Sequence, residues 1–282
     1  MGFELRFELL KEIAEHVELK DILLIVSVPV VAILVFLLPD STQEALVLNY
    51  KDPSPVTLFT KTFVHRGVDH LKNNLTAYIF FAVPSFLMSA LTRQKRRFYL
   101  CFLLFVLVFP FILSSLNLHF IDAETGRGLS GVVSAFLGFM PVSVYLFLKE
   151  KMAEDLKISF SVSLVLFALG SIAFLFVGPL AQKLLWLVII YSLAVFTLWS
   201  STREVDFGKL IESLKGELAR QNYLLFSTVS VLVFLLSVPL LFPVELVRGG
   251  GFVNVLAHYF GFALGFFVPY LAVSLHEAKR NL

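Results

Sequence analysis

Gly128-Leu129-Ser130-Gly131, running straight into the apolar stretch 132–148, is the part of this chain on which its reading turns. A polar loop, 117–127, leads into it. A helix that crosses a bilayer needs about 20 mostly apolar residues, and Ser130 stands at the mouth of such a run. The glycines on either side let another backbone approach closely. The first N–H groups of a helix have no partner within it. A serine so placed meets the needs of a nucleophile with an oxyanion site beside it. The same residues also suit the close packing of two membrane helices, so the decision rests on the rest of the chain.

Outward from this stretch the chain is apolar throughout. Hydrophobic residues make up 58% of the 282, among them 31 Phe, and the mean hydropathy is +0.85. Soluble domains hold roughly 45–50% apolar residues, so an integral membrane protein with an all-α fold is expected. A net charge of +2 argues against nucleic acid as a partner. The one cysteine, Cys101, lies in an apolar run, which leaves no disulfide framework and no cysteine-based metal site. Residues 1–20 place Phe3, Phe7, Leu10, Ile13, Ala14 and Val17 at helical spacing among Glu and Lys. They read as an amphipathic segment on the membrane surface.

Eight spanning segments are expected, at 21–39, 70–91, 98–116, 130–148, 158–177, 180–200, 223–242 and 252–275. Gly178-Pro179 makes the turn between the fifth and sixth. Segments 1–20, 92–97, 149–157, 201–222 and 276–282 carry more than twice as many Lys and Arg residues as the loops assigned to the other side. Both termini are therefore expected in the cytoplasm of a multi-pass cell-membrane protein. The Ser130 stretch and the long loop 40–69 then fall at the outer face, with part of that loop in the outer leaflet. Residues 21–282 form the membrane domain, and 201–222 a second cytoplasmic amphipathic segment.

Polar groups in spanning helices are costly and point to function. Three sets lie near outer helix ends: His65, His70 and Asn74; Ser130; and His258. His70 and Asn74 are four apart and share a helix face, where a donor pair could bind an oxyanion. His65 and His70 have no third ligand nearby, which disfavours a metal. Gly261 and Gly265 follow His258 at one-turn spacing, a smooth stripe on which another helix can pack. A histidine carried close to Ser130 could take its proton. No acidic third member is evident, since Asp122 and Glu124 have no reason to contact His258.

These three sets resemble the motifs of the rhomboid intramembrane serine proteases. His65/His70/Asn74, Gly128/Ser130/Gly131 and Ala257/His258/Gly261/Gly265 occur in the family's order, over about residues 58–270. The resemblance implies a six-helix rhomboid-like core with about two additional spans. It implies Ser130 as nucleophile and His258 as general base. His70 and Asn74, with Gly128 beside them, would serve the oxyanion and substrate, while His65, Gly131, Gly261 and Gly265 would be structural. It further implies cleavage of transmembrane protein substrates in contact with membrane lipids, with no cofactor and no metal.

Three departures stand out. Three spans rather than one separate the serine and histidine helices, and the sequence leaves open which two are added. The outer loop lacks the family's frequent Trp-Arg pair. Ser134 stands where many members carry an aromatic residue against the imidazole, so His258 must be held otherwise, by neighbouring Phe residues among the options. A catalytically silent rhomboid-like protein that binds membrane clients is the alternative function, and a transporter a more distant one.

Overall fold

The structure is a computed structural model that describes residues 2–120, 124–176, 178–242, 247–248, 251–252 and 254–280. Asp122 lies outside them. Helix α1 (Gly2–His16) precedes α2 (Leu19–Phe36), and the long loop 40–69 folds as α3 (Asp40–Leu46), β1 (Leu48–Asn49), α4 (Pro55–Thr60) and a 3-10 turn, Lys61–Phe63. Then come α5 (Val68–Leu91), α6 (Lys95–Leu103), α7 (Phe109–Phe120), β2 (Thr125–Gly126) and α8 (Ser130–Lys151). The second half holds α9 (Ser159–Phe176), α10 (Leu180–Thr202), α11 (Phe207–Gly216), α12 (Leu218–Leu241), β3 (Val247–Arg248), β4 (Gly251–Phe252) and α13 (Val255–Arg280).

Among the described residues seven helices are long and apolar enough to cross a membrane, and Ser159–Leu175 is a shorter apolar helix in the place of the fifth expected span, 158–177. The expected segment 98–116 is longer, running from Lys95 to Phe120 as α6 and α7. A π-helical stretch, Leu104–Val108, joins the two. Pro110 explains it: proline donates no hydrogen bond and crowds the carbonyl four residues back, and a wider turn relieves both. Residues 117–120, read from sequence as loop, are the last turn of α7, with Asn117 fully buried.

Helix α8 is the axis of the fold. Almost every side chain from Gly131 to Tyr145 is buried, as expected of a helix that is apolar on all sides and surrounded by others. Its small residues admit neighbours to backbone contact. A Cβ built on Gly138 would lie 2.1 Å from the Phe262 carbonyl oxygen, and one built on Gly265 would lie 2.1 Å from that of Ala135. Helices α8 and α13 therefore cross with backbones touching. On its other side α8 meets α5 and the aromatic cluster of α6 and α7, where Phe136 packs edge-on to Tyr78 and Phe105.

Helices α9 and α10 form a hairpin. Helix α10 packs on α9, with Tyr191 against Phe167 and against Gly170, and turns Leu185, Trp186, Val188, Phe196 and Trp199 outward.

The basic segments meet at the end of the bundle away from Ser130. Lys151 pairs with Glu12 of α1 at 2.9 Å, and Tyr223 donates to the same carboxylate at 2.7 Å. That pairing holds the Glu12 carboxyl below its usual range despite partial burial. Lys95 joins Glu18 and Asp21 at 2.7 and 2.8 Å, and Lys149 joins Glu277 at 2.8 Å.

Candidate active site

Three ties fix the segment that delivers Ser130. Strand β2 pairs antiparallel with β1 through Leu48↔Gly126 and Asn49↔Thr125. Arg127 donates to both carboxylate oxygens of Glu44, at 2.8 and 3.3 Å. The Gly128 N–H donates to the Lys61 carbonyl at 2.8 Å. Gly128 then takes φ of +118°, a region that strains any residue with a Cβ. A Cβ here would also stand 2.8 Å from His70 Cε1, so glycine is required twice over. Ser130 is the first residue of α8, and no side chain caps that start. Its N–H and the two that follow are free of intrahelical partners.

Helix α5 brings the second set. Its Asn74 is buried, and the amide donates to the His70 carbonyl one turn back at 3.1 Å, which leaves a second N–H and the amide oxygen available. His65, in the approach to α5, sits edge-on to the His70 ring at 5.0 Å, and its Nδ1–H donates to the Phe63 carbonyl at 3.1 Å. Burial, with the adjacent His70 adding to it, pushes the His65 imidazole down to about 4 against the pull of that carbonyl. His65 is thus neutral and fixed in one tautomer.

Helix α13 brings the third. It begins at Val255, so His258 lies in the first turn, nearer the helix start than the expected 252 placed it. Asn254 accepts from the Ala257 N–H at 2.8 Å and caps this turn. His258 is 6% exposed. Its Nδ1–H donates to the carbonyl of Leu241, the last residue of α12, and Phe242 stands edge-on with centroids 6.3 Å apart. The imidazole is thus held from the end of α12 rather than from the serine helix. Ser134 instead turns back on its own helix, donating to the Ser130 carbonyl at 2.8 Å. With Nδ1 occupied, Nε2 carries the free lone pair.

The glycine contacts bring α8 and α13 together at this level. A Cβ on Gly261 would lie 2.1 Å from the Gly131 carbonyl oxygen, and one on Gly131 would lie 3.6 Å from that of Ala257. Gly131, next to Ser130, and Ala257, next to His258, therefore face each other with room for little more than a methyl group between them. A cavity of about 1290 Å³ opens beside them, and its wall includes Ser130, His258, His70, Asn74 and Gly128. Among the described residues no hydrogen bond joins the serine hydroxyl to the imidazole, whose bond is to Leu241.

Phe80 of α5 and Leu236 of α12 also line this cavity and are 52% and 71% exposed, so it reaches the outer surface of the bundle between those helices. Wall residues that the sequence did not single out include Tyr50, Lys61 and Arg127. Burial raises the Tyr50 hydroxyl above its usual range. A signal for Lys61 did exist, a lone cation inside the apolar string LFTKTFV.

A family model, the Rhomboid domain, matches residues 53–208, more than half of the chain. That span contains His65, His70, Asn74 and Ser130 and ends before α12 and α13. No curated protein and no solved structure matches the chain.

Proposed function

The chain belongs to the rhomboid family, and from that premise we propose that it is an intramembrane serine endopeptidase. The observation that carries this is the single cavity bounded at once by Ser130, His258, His70 and Asn74. Ser130 Oγ attacks the scissile carbonyl, and His258 Nε2 takes its proton. The tetrahedral oxyanion is met by the Ser130 N–H, the free Asn74 N–H and His70, donors set where charge develops. The imidazolium then protonates the leaving amine, and water repeats the sequence on the acyl-enzyme. The Leu241 carbonyl does for His258 what a carboxylate does in a triad, fixing tautomer and orientation without a charge.

The substrate is a transmembrane helix entering between α5 and α12, unwound near the cavity so that its carbonyl is exposed. The positive-inside bias puts both termini in the cytoplasm of the cell membrane and the cavity at the outer face. The serine–histidine separation favours one second reading, a silent family member that binds membrane clients. Catalytic hydrogen bonds often tighten only with substrate present, so the first reading stands ahead.

Fluorophosphonate labelling of the folded protein, followed by cleavage of a reporter transmembrane substrate in liposomes, separates the two. The protease labels and cuts, and Ser130→Ala and His258→Ala do neither. Full cutting by Ser130→Ala refutes the mechanism, and a folded wild type that neither labels nor cuts is the client binder.

A further inference from the structure

Lys61 is a buried cation on the wall of the cavity, and nothing in the mechanism uses its side chain. The residue is 7% exposed, and its ammonium makes no ion pair or hydrogen bond with the described residues. Its backbone is part of the site, because the Lys61 carbonyl receives the Gly128 N–H two residues before Ser130. The other charged groups on the wall are differently placed. Arg66, Asp69 and Glu124 are exposed to solvent, and Arg127 is occupied by Glu44. His70, Tyr50 and His258 complete the titratable lining. Helix α4 carries no charged residue, and α2, which also packs on this turn, carries charge only at Lys20 and Asp21 in its first turn.

A lone ammonium withdrawn from water is costly unless an anion or several acceptors meet it. Burial alone pushes this one down to about 8, the mark of a cation without a fixed counter-charge, yet one still largely protonated at pH 7. The cavity is open where a polypeptide must lie, so the missing partner comes with the substrate.

We propose that Lys61 is a specificity residue that binds an acidic side chain of the substrate, Asp or Glu, within about three residues of the scissile bond. The inference rests on the protease reading above. A charge-assisted hydrogen bond in a desolvated site is the strong kind, and at 1.5–3 kcal/mol it corresponds to about 10- to 100-fold in kcat/KM.

The test uses reporter transmembrane substrates carrying Asp, Asn or Ala at each of the three positions on either side of the cut, in neutral-lipid liposomes. Wild type is expected to favour Asp at one of these positions by at least about tenfold. Lys61→Met should lose the preference, its ratio of Asp to Ala cutting falling to about one. Lys61→Glu should favour Lys at that same position. The wild-type preference should also fade between pH 7 and 9 as the ammonium loses its proton.

Fluorophosphonate labelling of each variant reports an intact site. Equal cutting of all substrates by a wild type that labels overturns the inference and leaves the protease standing. So does a Lys61-dependent stimulation by anionic lipid without dependence on substrate charge. A wild type that neither labels nor cuts defeats the protease reading itself.

Discussion

Gly261→Ala puts the smallest possible wedge between the helices that carry the nucleophile and the base. The new Cβ would lie 2.1 Å from the Gly131 carbonyl oxygen and 3.1 Å from Ser134 Cβ, against ordinary contact from 3.4 Å upward. The obstacle at Gly131 is backbone and cannot rotate aside, so α8 and α13 must part locally by about 1.3 Å. Overpacking of this kind costs roughly 1–3 kcal/mol of stability. A misplacement of 1 Å between reacting groups costs on the order of 100-fold in rate. Cleavage of a reporter transmembrane substrate in liposomes should therefore fall about 100-fold, with a lower thermal midpoint in detergent. Gly216→Ala is the control, because nothing lies within 4 Å of its Cβ position; it should leave both readouts unchanged. Wild-type kcat/KM and an unmoved midpoint in Gly261→Ala would refute the claim that this crossing sets the catalytic distance.

Asn74→Ala should lower kcat by about 100- to 1,000-fold, the cost of one oxyanion donor elsewhere, with fluorophosphonate labelling slowed but detectable; an unaltered kcat removes Asn74 from the site. His65 stays neutral in the fold down to about pH 4, whereas an ordinary histidine takes its proton near 6.5. Its contribution to stability is thus complete above pH 6.5 and lost as pH falls toward 4. The thermal midpoint should drop over that window, and His65→Gln should flatten the slope; equal slopes contradict this. Gly170→Leu drives a side chain into Tyr191, whose ring carbon lies 2.2 Å from the Cβ position. It should loosen the α9–α10 hairpin to proteolysis while leaving cleavage intact, since no residue of that hairpin lines the cavity. A matching loss of cleavage would make the hairpin part of the working site.

The spans were legible because length and hydropathy alone decide them, and the parity of basic loops grouped segments that do gather at one end of the bundle. His70, Asn74, Ser130 and His258, from three distant stretches, line one cavity. Other features were hidden because they depend on partners far off in the chain. Asn117 reads as loop by its polarity, yet α7 carries it into the interior. Gly138 matters only because α13 crosses it at Phe262. The support of His258 is a backbone carbonyl, and carbonyls leave no trace in a sequence. Lys95 stands in a segment read as a loop, yet it opens α6 and pairs with Glu18 and Asp21, partners more than seventy residues away in the chain.

That carbonyl ties admission to reactivity. Leu241 ends the helix that forms one side of the lateral opening, and the same atom keeps a hydrogen on Nδ1 of His258. Any displacement of the end of α12 would take from the imidazole the acceptor that fixes its proton, so the proposed role of His258 as a base depends on that helix end keeping its place.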